Sequence, residues 1–227
     1  MGITAMKLKD RALALGANLV GIADVSSLEV PFDRAISVAV ALNRDIVSSV
    51  GQGPHIEYQA EYLSVNAKID QVLGEITCWI QGEGYAAVVE PASSPNFDRE
   101  KLAAAFPHKT AATMSGLGWI GKNALLVTKE YGSAVRLGTV FTDAPLQADV
   151  PQASSLCGSC TLCRKACPVA APGETLWSPG MAREDLVDIR SCWGQLRLFM
   201  EERELKHAIC GICIQACPWT KKYLHSR

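Results

Sequence analysis

The sequence predicts an α+β fold that ends in a small cysteine-rich module, and three observations carry that expectation. Helix and strand patterns follow one another in mixed order over residues 1–150, with two adjacent strands at their end. One long amphipathic stripe runs through residues 56–81. Eight of the nine cysteines in the 227-residue chain fall between Cys157 and Cys217.

The elements follow in order. Residues 4–15 read as a helix, stopped by Gly16. Leu19–Ile22 reads as a short strand. In residues 35–42, Ile36, Val38, Val40 and Leu42 alternate with small residues, the pattern of a strand packed on one face. On the long helix from Ile56 to Gln81, Val65, Ile69, Val72, Leu73, Ile76 and Ile80 share one stripe, and Gly82 and Gly84 end it. Cys78, beside Trp79, is expected to be a buried, inert thiol. A third strand is expected over 85–89. Asn96 or Asp98 is placed to cap a helix running to Phe106, and a further helix covers His108 to Ser115. Strands over 124–128 and 134–141 are expected to pair as a hairpin across Lys129–Gly132. The polar, proline-bearing stretch from Asp143 to Ser155 reads as the join between residues 1–150 and residues 151–227.

The cysteine runs carry the chemistry. The first is Cys157-x2-Cys160-x2-Cys163-x3-Cys167-Pro168; the last is Cys210-x2-Cys213-x3-Cys217-Pro218, with Cys192 between them. In the bacterial two-cluster arrangement, three close cysteines hold one [4Fe–4S] cubane, and the cysteine before proline reaches to the other. That assigns Cys157, Cys160, Cys163 and Cys217 to one cluster and Cys167, Cys192, Cys210 and Cys213 to a second. A pair of zinc sites is the alternative for four-cysteine sets; the interlocked Cys-Pro pattern in both runs weighs for clusters. Gly158 and Gly211 follow the first cysteine of each run, where backbone N–H groups approach cluster sulfur. Trp219 is placed either to shield a cluster or to fill the core, and His207 either to bond cluster sulfur or to lie at the surface.

Residues 115–123 read Ser-Gly-Leu-Gly-Trp-Ile-Gly-Lys-Asn. Both G-x-G-x-x-G and G-x4-G-K are present in outline. A nucleotide loop follows a strand and opens a helix, whereas here a helix precedes and a strand follows. The segment reads instead as a tight turn, or as a backbone-rich cradle for a flat cofactor, with Trp119 as an apolar wall. His108 stands just before it and is a candidate proton donor. Tyr58 and Tyr62, four apart on the long helix, share a face, either for packing or to offer a phenol to a reacting centre.

The run Gly116-Leu-Gly-Trp-Ile-Gly-Lys-Asn123, then Glu130-Tyr-Gly-Ser133, Leu137-Gly138 and Thr142-Asp143-x-Pro145-Leu146, resembles the epoxyqueuosine reductase family. The cysteine runs and the Cys217-Pro-Trp219 ending match it too. The resemblance is strong over residues 110–220 and general over 1–105. It implies a mixed-sheet, nitroreductase-like domain over residues 1–150 that binds cobalamin, and a two-[4Fe–4S] ferredoxin-like domain over 151–227 that reduces the cobalt. It implies that Gly118, Trp119, Gly121, Lys122 and Asn123 line the corrin and that Tyr62 stands near the reacting face. Two departures accompany it: the place of the family's aspartate falls near Leu102, and that of its histidine after the tyrosine is Leu63. The chain is expected to be a short relative without the C-terminal repeat domain that helps grip tRNA.

Three functions follow as expectations. The first is a cobalamin-dependent iron–sulfur oxidoreductase acting on a small-molecule substrate, with Tyr62 or His108 giving the proton. The second is an electron-transfer partner, activating a corrinoid protein without a corrin of its own. The third is a reductase carrying FMN on the same fold. A redox partner protein is expected as electron donor. The net charge of -1 offers no basic excess to release counterions, which speaks against nucleic acid as a partner. No apolar run reaches the roughly 18–20 residues of a membrane span and no leader is visible, so a cytoplasmic place is expected.

Overall fold

The computed structural model describes residues 2–93 and 97–226 and divides into two compact units, neither of them continuous in sequence. The first comprises residues 1–41, 64–117 and 136–152; the second comprises residues 42–63, 118–135 and 153–227. The expected boundary near residue 150 therefore marks only one of the cuts. Two segments of residues 1–150 fold with the cysteine-rich part instead, because side chains there bond to it directly, as described below.

In chain order the elements are α1 (Ala5–Ala14), β1 (Leu19–Asp24), β2 (Arg34–Ala41), α2 (Arg44–Ser49), α3 (Ile56–Gly82), β3 (Ala87–Glu90), α4 (His108–Met114), β4 (Trp119–Ile120), β5 (Leu126–Val127), β6 (Val135–Thr142), α5 (Leu162–Ala166), α6 (Ile189–Glu202), α7 (Ile212–Gln215) and α8 (Pro218–His225). Helices thus accompany antiparallel strand pairs, an α+β arrangement.

The first unit is built on a four-stranded sheet in the order β1-β2-β6-β3. β1 runs antiparallel to β2, with Ile22 opposite Ile36, and β3 runs antiparallel to β6, with Val89 opposite Val140. Thr4 caps α1 by accepting from the Lys7 N–H at 3.3 Å. The stripe on α3 is buried as its spacing requires: Ile69, Val72, Leu73, Ile76 and Ile80 have no exposed surface. β2 is buried on both faces, Ser37 and Ala39 included, rather than on one. A second cluster gathers Val25, Ala35, Phe106 and Phe141, with the two phenylalanine rings edge to face at 4.9 Å.

Three expectations are corrected. No helix forms before Phe106: Asp98 accepts the N–H groups of Glu100 and Lys101, and its own backbone bridges Ala103. A side chain that bonds its own turn competes with the helix it was expected to cap. Asn96 lies outside the described residues. β5 and β6 are not a hairpin: β5 pairs with β4, Trp119 opposite Val127, while β6 joins the four-stranded sheet. Cys78 is exposed, because it follows Ile76 by two positions and so turns away from the buried stripe. Among the described residues, no helix is long and apolar enough to cross a membrane.

Candidate functional site

The second unit holds all eight clustered cysteines, and three segments position them. The start of α3 grips the run that leads into Cys210: the Gln59 side-chain oxygen accepts the N–H groups of Lys206 and His207 at 2.6 and 3.0 Å. The ring of Tyr62 lies 5.9 Å from that of His207, tilted by 41°. The Arg203 guanidinium donates to the carbonyl of Pro54 at 2.8 Å. The β4–β5 hairpin and its continuation grip the other side. The Lys122 ammonium donates to the Cys160 carbonyl at 3.1 Å, and the Ser133 N–H donates to the Thr220 hydroxyl at 3.0 Å. Finally, Asp188 caps α6 by accepting from the Ser191 N–H at 3.0 Å, and this fixes the turn that carries Cys192. Pro218 opens α8 at a position where its missing N–H costs nothing, so Cys217 sits just before a helix start.

Local backbone geometry follows the cysteine runs. Gly211 has φ +89°, and a Cβ there would meet Tyr58 and Val50 side-chain atoms at 3.0 Å. Gly158 has φ +52° but open space around it. Sulfur atoms collect backbone N–H groups: Cys163 from Arg164, Cys210 from Ile212, and Cys217 from Trp219 and Thr220.

Five of the clustered thiols are raised by burial and by neighbouring cysteines. Burial pushes the Cys163 thiol up to about 11, with Cys157, Cys217 and Cys160 adding to the rise. Burial likewise pushes Cys210 up to about 11, with Cys192 and Cys167 adding to it. Cys213 is raised by burial, then by Cys210, Cys192, Cys163 and Cys167. Cys192 is raised by burial and by Cys167. Cys163 and Cys213 are near enough for the two sets to sense each other. Such crowding disfavours bare thiolates, and a cationic metal core is what would relieve it. All nine cysteines are free of disulfides. Among the described residues, no group of three or more His, Cys, Asp or Glu is gathered tightly enough to hold a single metal ion. A cubane takes a wider set of thiolates than a single zinc, whose sulfurs stand about 2.3 Å from one point. Donor chemistry, N–H groups on sulfur and the buried Lys122 all fit an iron–sulfur occupant.

The five residues expected to line a corrin all lie in the second unit, with partners there. Lys122 is spent on Cys160, and Asn123 donates to the Ser133 hydroxyl at 3.1 Å and accepts from the Leu125 N–H at 3.2 Å. Gly118 is required by packing, since a Cβ there would run into the Val127 carbonyl of the facing strand. A Cβ on Gly121 would meet Asn123 and Val127 side-chain atoms at 2.6 and 2.7 Å. Trp119, 1% exposed, lies in a core with Trp177, Leu186, Val187 and Cys217, against which Cys157, Cys167 and Cys192 pack. Its indole N–H is buried without an acceptor among the described residues, a loss of about 1–3 kcal/mol unless something accepts it. Trp219 packs edge to face on it at 5.0 Å. Sequence reasoning missed this hairpin as part of the cysteine module; no spacing in the sequence signals it.

His108 lies in the first unit, with both ring nitrogens engaged. The Pro91 carbonyl can only accept, so Nε2 carries the hydrogen and donates to it at 2.9 Å, leaving Nδ1 to accept from the Thr139 hydroxyl at 2.9 Å. Burial lowers its pKa from 6.5 to about 4, with the Arg136 charge helping. At neutral pH it is a neutral strut between Pro91 and β6.

The chain matches no family model. It is 29% identical to the epoxyqueuosine reductase of Gloeobacter violaceus over 265 residues, covering 96% of this chain and 77% of that protein. It is 40% identical to the epoxyqueuosine reductase of Listeria monocytogenes over 116 residues, 48% of this chain and only 28% of that protein. Among solved structures, a reductive dehalogenase described as suggesting a mechanism for B12-dependent dehalogenation aligns with a TM-score of 0.70 at 21% identity, over 94% of this chain and 31% of that one. An epoxyqueuosine reductase with an epoxyqueuosine-modified tRNA-Tyr stem loop aligns with a TM-score of 0.64 at 19% identity, over 97% of this chain and 67% of that one. These two structures establish likeness of fold. The second, described with a tRNA stem loop, stands against the expectation that rules against nucleic acid as a partner for a protein of this fold. The chain is a relative of the epoxyqueuosine reductases.

Proposed function

We propose that this chain is an oxidoreductase that moves single electrons through two [4Fe–4S] clusters, one on Cys157, Cys160, Cys163 and Cys217, the other on Cys167, Cys192, Cys210 and Cys213. The observation that supports the reading is the company each raised thiol keeps: Cys163 is raised by Cys157, Cys217 and Cys160, and Cys210 by Cys192 and Cys167, as the Cys-Pro spacing would group them, while Cys213 is raised by three of its own set and by Cys163 as well. The clusters supply one-electron redox chemistry; the chain supplies thiolates, N–H donors and the buried Lys122 ammonium.

For the electron acceptor, the relatives support a cobalamin, since one structural neighbour is described as B12-dependent. Tyr62 is the proton source proposed, because its ring is half-buried in the cysteine-bearing unit beside His207. His108, neutral and held at both nitrogens, serves the first unit's packing instead. An organohalide and an epoxyqueuosine-bearing stem loop are the substrates to screen first, by the neighbours' descriptions. A second reading is an electron-transfer protein that activates a corrinoid partner and binds no corrin. It is favoured by the inward engagement of Lys122 and Asn123.

Anaerobic reconstitution with iron and sulfide, addition of hydroxocobalamin, desalting and metal analysis test both. About eight irons per chain with about one cobalt supports the reductase. About eight irons without cobalt supports the electron carrier. A yellow, fluorescent product points to FMN. Zinc in place of iron overturns the cluster reading.

A further inference from the structure

We propose that the Trp119 indole N–H donates a hydrogen bond to sulfur at the Cys217 corner of the first cluster, and so helps to set that cluster's reduction potential. The inference rests on the cluster reading above. Trp119 is 1% exposed, and its Nε1 is buried without a partner among the described residues. The apolar side chains packed in its core include cysteine and methionine sulfur and two other indole rings. Of the sulfurs, Met181 already accepts the Ser178 N–H at 3.2 Å. Of the rings, Trp219 stands edge to face with Trp119 and has the Lys222 ammonium 4.2 Å from its centre, so its face already serves a cation. Among the described residues no atom, cysteine sulfur included, accepts from Nε1, so the acceptor left is the sulfide that the cluster would bring. Cys217 is a buried member of that core, its sulfur already takes the Trp219 and Thr220 N–H groups, and sulfide at its corner would have lone pairs to spare.

The same segment reaches the first cluster at a second point, through Lys122 on the Cys160 carbonyl. A donor aimed at cluster sulfur stabilises the more negative, reduced state, so Trp119 raises the potential. It touches no substrate; it is a positioning residue that acts through the cluster.

The full chain, reconstituted with iron and sulfide, is compared with Trp119→Phe by EPR-monitored potentiometric titration. The variant keeps an aromatic ring and loses the donor. Both proteins are expected to hold about eight irons, and one of the variant's two midpoints is expected to fall by roughly 59 mV, a tenfold change in the reduced-to-oxidised ratio for one electron. A second measurement does not depend on that variant's folding. Protein grown on 15N-indole-labelled tryptophan is reduced and read by pulsed EPR. A 15N coupling is expected in the wild type and in Trp219→Phe, and is expected to vanish in Trp119→Phe. Full iron with unchanged midpoints, or no 15N coupling in the wild type, overturns the assignment and leaves the cluster reading standing. A wild-type chain that retains no iron overturns both.

Discussion

The Lys122 ammonium stands 3.1 Å from the Cys160 carbonyl, although Lys122 is only 4% exposed. A buried cation with one carbonyl partner is expensive unless negative charge lies nearby. Four cluster thiolates would supply that charge. Lys122→Met keeps the length and removes the cation. Iron release to a chelator is expected to quicken roughly tenfold for half of the iron, the first cluster's share, as loss of a charge-assisted contact would give. Release that stays uniform and unchanged would place Lys122 outside the cluster's field.

The division of ligands predicts a pattern of iron loss. Cys163→Ala and Cys192→Ala should each retain about four irons, and the double variant almost none. Cys163→Ala with Cys217→Ala should still retain about four, since both belong to one set. Iron analysis after anaerobic desalting reads this directly. Equal loss in the two double variants would mean that the sets are not independent.

Gly211 and Gly158 occupy equivalent places after the first cysteine of each run, yet their surroundings differ. Gly211→Ala combines φ +89° with Tyr58 and Val50 atoms at 3.0 Å; Gly158→Ala meets only its φ of +52°. The first is expected to cost about 2–3 kcal/mol and the second about 1 kcal/mol, the usual left-handed penalty. Thermal melts of the reconstituted variants should separate by several degrees.

His108 gives a pH dependence of definite sign. Its folded pKa, about 4, lies below the ordinary 6.5. The unfolded chain therefore takes up a proton that the folded one resists. The stability His108 contributes is whole above pH about 6.5 and is lost as pH falls from there towards 4, by up to about 3 kcal/mol. Hydrogen-exchange protection of the α4 amides should drop across that window. In His108→Asn the protection should be lower at pH 7.5 and flatter below it.

Cys78 is exposed in a chain whose other thiols serve as proposed ligands. In the reconstituted protein a maleimide is expected to label one thiol quickly, and Cys78→Ser should abolish that label. The change should cost less than about 0.5 kcal/mol, as for a surface site. Slow labelling in the intact protein would return Cys78 to the core.

The sequence by itself determined the features whose causes are local. The α3 stripe is buried because helical period alone puts Ile69, Leu73, Ile76 and Ile80 on one side. The spacing of the cysteine runs is legible too, and the cluster ligation proposed above rests on it. Tertiary structure decided the rest. Whether β5 pairs with β4 or β6 depends on which backbone groups meet across space, and Gly118 against the Val127 carbonyl settles it for β4. The surroundings of Lys122, Asn123 and Trp119 were not legible because Cys160, Ser133 and the cysteine core are distant or unmarked in sequence. The setting of His108 was hidden for the same reason: Thr139 and Pro91, which take both its nitrogens, become its neighbours only when the sheet closes. A side chain's chemistry is written in its type, but its availability is decided by which acceptors folding brings within about 3 Å.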